Sequence, residues 1–161
     1  MADKKILTTC IYCGTGCNFF FRVRNGKVTG VIPSPRGAGQ GKLCIKGWSA
    51  HEFIHHPERL TAPLMRDSKA GALQETTWKK ALDRVAQRLS EIKARDGSGA
   101  IGFFSSAKCT NEENYLLQKF ARAVMGTDNI DSTARLELGG GPALWSKLFS
   151  LPISIKDIAR A

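Results

Sequence analysis

The rhythm of apolar and polar residues changes once along this chain, at a junction marked by Pro57 and Pro63. On the N-terminal side it is strand-like. Residues 5–9 read as a short strand. Residues 18–31 read as a hairpin: Phe19, Phe20, Phe21 and Val23 on one arm, Asn25-Gly26 as the turn, 28–31 as the other arm. Asn-Gly supplies the positive φ angles that a two-residue hairpin turn needs. Three consecutive phenylalanines cannot share one face of a strand, because successive side chains alternate. Some of them are therefore expected to meet a second surface. Residues 33–41 hold two prolines and three glycines and must be loop.

Past the junction, 65–75 is polar and loop-like. Trp78, Ala81, Leu82, Val85, Leu89 and Ile92 then recur at steps of three and four, which predicts an amphipathic helix over 78–94 with Thr77 as its N-cap and Gly97 and Gly99 at its end. Residues 100–104 read as a buried strand. Thr110-Asn111-Glu112-Glu113 is a capping-box pattern, and Leu116, Leu117, Phe120, Ala121 and Val124 give the next helix its apolar stripe. Gly126 closes that helix, and 129–131 reads as a second short strand. Helix, strand, helix, strand is one piece of an α/β layer. The expected fold class is therefore mixed, α+β and α/β. A small β-rich domain spans 1–65, and a partial α/β docking region with a C-terminal tail spans 66–161.

The β-rich part carries the chemistry. It contains C-I-Y-C-G-T-G-C and later C-I-K-G, which places thiols at Cys10, Cys13, Cys17 and Cys44. Three lie within one short loop and the fourth returns from a distance. This is how a [4Fe–4S] cluster is usually held, with one thiolate on each iron. Gly14 and Gly16 between the ligands let backbone N–H groups approach sulfur. A zinc site is the rival reading, although zinc ligands normally come as two close pairs. Disulfides need an oxidising compartment, to which nothing here points. Lys46, two residues beyond Cys44, suits either charge balance at a cluster or an electron relay away from it. His51, His55 and His56 follow on an expected short helix; a helix end and turn is the simpler reading of them than metal ligation.

Charge changes this picture little. The formal net charge of the 161 residues is +10, from 24 Lys+Arg against 14 Asp+Glu. An oxidised cubane with its four thiolates contributes about −2 and would leave about +8. The basic residues are dispersed and not interleaved with aromatics, so nucleic acid is not expected as a partner; a face for an acidic protein partner and a plain solvated surface both fit the charge. No apolar run has membrane-spanning length. The start, M-A-D-K-K-I-L-T-T-C, has neither the apolar core of a secretory signal nor a twin arginine. Free thiols for iron make the reducing cytoplasm the expected location.

Five segments occur in order: C-I-Y-C-G-T-G-C, C-I-K-G-W, H-P-E-R-L-T-A-P-L-M-R, F-F-S-S-A-K-C-T-N-E-E-N-Y and D-N-I-D-S-T-A-R-L. Together they resemble the N-terminal part of the catalytic subunit of molybdenum- or tungsten-dependent formate dehydrogenases, within the molybdopterin oxidoreductase superfamily. The resemblance covers nearly the whole chain. It implies that Cys10, Cys13, Cys17 and Cys44 ligate one [4Fe–4S] cluster, that Lys46 is the lysine between cluster and pterin, and that Cys109 is not a ligand.

Two departures shape the expected function. The residue after Ala134-Arg135-Leu136 is the metal-binding cysteine or selenocysteine in active relatives, and here it is Glu137, a poor substitute for a soft donor. The segment 154–158 resembles a stretch shortly after that ligand, whereas full relatives continue with most of the pterin-binding surface. The expectation is a chain with no catalytic residues and no pterin bound by itself: a non-catalytic [4Fe–4S] electron-transfer subunit whose fold is incomplete without partner chains. Those partners are other redox subunits, carrying iron–sulfur, flavin, hydrogenase or pterin centres. The alternative is one fragment of a split formate dehydrogenase whose pterin domains lie on another chain.

Overall fold

A computed structural model describes residues 4–134. The calls made on Glu137 and on 154–158 lie outside the described residues.

Three antiparallel strands open the chain: β1 (Lys4–Thr9), β2 (Asn18–Arg24) and β3 (Lys27–Pro33), in the order β1-β2-β3. The hairpin turn is the expected one, with Asn25 at φ 49° and Gly26 at φ 76°. The register pairs Leu7 with Phe20 and Phe20 with Ile32, while Ile6, Phe21 and Val31 align on the other face. The phenylalanine run divides accordingly. Phe19 and Phe21 share one face and meet edge to face at 5.1 Å, and Phe19 is only 1% exposed. Phe20 points to the opposite side. Cys10, Phe19 and Ala50 form the buried centre, with Tyr12, Cys17, Phe21, Val31 and Leu43 packed against it. The apolar face of the sheet thus lies under the cysteine loop.

After β3 the chain loops to α1 (Ile45–Trp48) and a 3₁₀ turn, Glu52–His55. The expected histidine helix is only this turn, closed before Pro57. His55 Nε2 accepts from the Val28 N–H at 2.9 Å, which ties the turn to β3. Residues 65–75, expected as plain loop, are spanned by a two-rung ladder between β4 (Leu64–Met65) and β5 (Gln74–Glu75).

The second part follows the expected helix–strand alternation. Helix α2 (Trp78–Asp96) is N-capped by Thr77, whose side chain accepts from the Lys80 N–H, and ends on Gly97 at φ 83°. Strand β6 (Phe103–Ser105), helix α3 (Asn111–Lys119) and strand β7 (Ile130–Ser132) form a βαβ unit with parallel strands. Thr110 and Glu113 make both bonds of the capping box. A π turn, Phe120–Met125, extends α3 to Gly126, which is left-handed at φ 73°. Phe120 meets Phe103 edge to face at 5.7 Å, so the helix packs on the strand.

The strand expected at 100–104 begins three residues later, because Ser98–Ala100 close a 3₁₀ turn among glycines. Ile101 is buried, but Phe104 is 77% exposed. The helical stripes are covered only in part: Trp78, Leu82, Val85, Leu116 and Val124 are all more than half exposed, whereas Ala81, Leu89, Ile92, Leu117 and Phe120 are half-buried and Ala121 is buried. Periodicity is a property of the helix; burial needs a neighbour. Helix α2 is held through its half-buried Ala81, Leu89 and Ile92 and through the Lys93 ammonium, which donates to Val124 O at 2.9 Å.

This asymmetry has a measurable consequence. Changing Leu82 and Val85 together to Gln is expected to alter stability by less than about 0.5 kcal/mol, as at other exposed sites, and to reduce self-association on size-exclusion chromatography. Phe19→Ala is expected to destabilise the chain by about 3 kcal/mol or more in denaturant titration.

Candidate metal centre

Cys10 follows the first strand and Cys17 precedes the second. The Cys10 N–H donates to Cys17 O at 2.8 Å, so the β1–β2 ladder gains one more rung and closes the loop between them. Cross-strand neighbours have side chains side by side. Cys13 sits within the loop, and Gly16, at φ 65°, makes the return to β2.

Cys44 arrives by the Pro- and Gly-rich segment. That segment is pinned to the same sheet end, since the Ser34 N–H donates to Asn18 O at 3.1 Å and the Gly41 N–H to Ser34 O at 2.9 Å. Ser34 is 1% exposed. Gly39 passes so close to Cys17 that a Cβ there would stand 3.1 Å from Sγ and 2.7 Å from Lys42 O. Only glycine fits. Cys44 then takes the N-cap position of α1 with extended backbone, and Lys46 follows in the helix.

Cys10, Cys13, Cys17 and Cys44 line one cavity of about 370 Å³, walled also by Leu43, Lys46 and Lys108. All five cysteines are free thiols, and Cys109 is not among the residues lining this cavity. The thiols act on one another. Burial raises the Cys17 thiol above its ordinary value, and the neighbouring Cys10, Cys13 and Cys44 sulfurs push it the same way. The Cys13 thiol is lowered, first by the Thr15 hydroxyl and then by the Thr15 N–H, with Lys46 adding a smaller pull. The Cys13 Sγ to Thr15 Oγ1 distance is 3.3 Å.

The donor set suits a cluster. Among the described residues no three His, Cys, Asp or Glu side chains stand close enough to hold a single metal ion. A cubane takes one thiolate on each of its four irons, and four cysteines lining one cavity match that number. The histidines are otherwise engaged. His55 accepts from Val28, His56 Nδ1 accepts from the Glu58 N–H at 3.2 Å, and His51 Nδ1 lies 3.2 Å from Trp48 O.

Two features of the centre escaped sequence reasoning. Lys108 brings a second cation to the cavity from the β6–α3 loop. Asn111, at the start of α3, donates through Nδ2 to Gly14 O at 2.8 Å. Both residues lie inside F-F-S-S-A-K-C-T-N-E-E-N-Y, but nothing local shows that this segment faces the cysteine loop.

Comparison with known proteins fits this geometry. Residues 3–56 match the molybdopterin oxidoreductase Fe4S4 domain, and 59–161 match the family described as molybdopterin oxidoreductase. The chain is 48% identical to the F420-dependent formate dehydrogenase subunit alpha of Methanocaldococcus jannaschii, over 100% of its own length and 24% of that protein. It is 42% identical to formate dehydrogenase H of Escherichia coli, over 84% of this chain and 20% of that one. The chain thus spans about a quarter or less of the relatives it matches. Acetylene hydratase from Pelobacter acetylenicus shares the fold, with a TM-score of 0.61 at 22% identity, over 84% of this chain and 19% of the hydratase.

The opposed thiol shifts give a pH signature in the metal-free chain. Cys13 is expected to alkylate with a lower pH midpoint than Cys17, read by mass spectrometry. Thr15→Val removes the hydroxyl and should move the Cys13 midpoint up, with a smaller change at Cys17 through their mutual repulsion.

Proposed function

The chain belongs to the molybdopterin oxidoreductase family, and we propose that it holds one [4Fe–4S] cluster on Cys10, Cys13, Cys17 and Cys44 and serves as a non-catalytic electron-transfer subunit of a larger redox assembly. The observation that carries this reading is the lining of one cavity by four free thiols from two separate segments. When bound, the cluster supplies reversible one-electron storage. The protein's part is to fix the four sulfurs, to offer the Thr15 N–H and hydroxyl to Cys13, and to bring Lys46 and Lys108 against the resulting negative charge. Hydrogen bonds and charges of this kind set the reduction potential. Lys46 also serves as the relay side of the centre. The chain alone is not proposed to bind a pterin.

The electron partners in this proposal are subunits with iron–sulfur, flavin, hydrogenase or pterin centres, in a reducing compartment. The exposed apolar residues of α2 and α3, Trp78, Leu82, Val85, Leu116 and Val124, supply surface for such a neighbour. No helix of the described residues is long and apolar enough to cross a membrane.

A second reading is favoured by one observation, the 48% identity to a formate dehydrogenase alpha subunit along the whole chain. In it the chain is the N-terminal fragment of a split formate dehydrogenase whose pterin domains lie on another chain. Glu137 weighs toward the first reading, because the resemblance puts a soft cysteine or selenocysteine donor there.

Anaerobic reconstitution with iron and sulfide is expected to give about four irons and four sulfides per chain. Serine at any one of positions 10, 13, 17 or 44 should lower iron retention at least several-fold, and Cys109→Ser should not. Uptake of zinc in preference, or iron binding indifferent to those four positions, contradicts the proposal. Affinity purification of the tagged chain separates the two readings: a pterin-containing partner supports the second, and redox subunits without pterin support the first.

A further inference from the structure

The cysteine loop is tied to the βαβ unit by a bond across 97 residues of sequence. Asn111 Nδ2 donates to the carbonyl oxygen of Gly14 at 2.8 Å. That carbonyl and the N–H of Thr15 belong to one planar peptide unit. The Thr15 N–H is in turn a hydrogen-bond donor to the Cys13 sulfur. A single rigid plane therefore has Asn111 on its acceptor end and a cluster sulfur on its donor end. Fixing one end fixes the other, and polarisation of the C=O strengthens the N–H as a donor.

The contact is built from both sides. A Cβ at Gly14 would displace the Asn111 amide from its present place. Asn111 is the first residue of α3, held by the Thr110–Glu113 capping box: Glu113 N–H to Thr110 Oγ1 at 3.2 Å, and Thr110 N–H to Glu113 Oε2 at 2.8 Å. One turn on, Asn114 bonds the Ser105 hydroxyl and donates to Ser106 O at 3.0 Å, fixing the loop that carries Lys108. The Ser106 hydroxyl also meets the Thr133 hydroxyl at 3.3 Å, at the end of β7.

We infer that Asn111 is a positioning residue for the cluster: it orients the Gly14–Thr15 peptide so that the Thr15 N–H stays on the Cys13 sulfur, and it thereby couples the electronic state of the centre to the βαβ unit. The inference deepens the cluster reading and rests on it for the electronic consequence alone. The mechanical consequence stands in the metal-free chain.

The test uses the full chain and compares wild type with N111A, N111Q and G14A. Hydrogen exchange followed by mass spectrometry reads the 10–17 segment without metal. Loss of one net hydrogen bond should speed its exchange about five-fold in N111A, similarly in G14A, and less in N111Q, which keeps a donor. After anaerobic reconstitution, N111A should still bind iron, with a reduction potential shifted to more negative values and an altered electron paramagnetic resonance line shape, both partly restored in N111Q. Unchanged exchange in N111A and G14A overturns the inference whether or not any variant takes up iron; failure of the wild type to load iron instead overturns the function proposed above. Faster exchange with an unmoved potential and line shape also overturns it, since simple bracing would leave the Thr15 N–H on the sulfur.

Discussion

Gathering four thiols around one small cavity sets the terms for the rest of this structure. Thiolates repel, and burial adds to the cost at Cys17, whose thiol is raised by both. The backbone overcomes that resistance by geometry. A β-ladder rung closes the first loop between Cys10 and Cys17. Asn18 and Ser34 bind the returning segment to the same sheet end, and Gly39 admits it within contact distance of Cys17. Thr15, Lys46 and Lys108 supply the compensating donors and charge. The buried centre of the β-rich part, with Phe19 at its heart, serves as the floor on which the sulfurs are arranged.

The two parts of the chain differ in how they are held. The β-rich part packs both Cys10 and Cys17 into its own core. The helical part covers its apolar stripes only in part: α2 is well capped and fully buries no residue, with Ala81, Leu89 and Ile92 half-buried. Helix propensity, caps and exposed pairs such as Lys79–Asp83 hold its shape, but each such pair contributes only a few tenths of a kcal/mol. What joins the parts at the centre is polar and local: Asn111 to Gly14, with Lys108 beside it. The cysteine end is thus packed on its own core, while Trp78, Leu82, Val85, Leu116 and Val124 of the helical part stay exposed.

Short-range chemistry was readable before any coordinates. The Asn25-Gly26 turn, the Thr77 and Thr110 caps and the alternation that divides Phe19 from Phe20 are all decided within a few residues. The cysteine spacing belongs to the same class, because three of the four thiols share one loop. Longer-range features were not readable. Nothing near Asn111 announces a bond to residue 14, and Lys108 looks like any surface lysine until the β6–α3 loop is folded against the cavity. Phe104 and the stripe of α2 failed differently: apolar pattern promised burial, and the packing partner that burial needs is not among the described residues.

The central claim is that these four sulfurs each bind a separate iron of one cubane. Mössbauer spectroscopy on the chain reconstituted with isotope-enriched iron tests it most directly. The account predicts a diamagnetic cluster of four irons in delocalised mixed-valence pairs, lost together when any one of Cys10, Cys13, Cys17 or Cys44 is replaced. Isolated ferric iron, a two-iron centre, or a chain that refuses iron and takes a single zinc would contradict it.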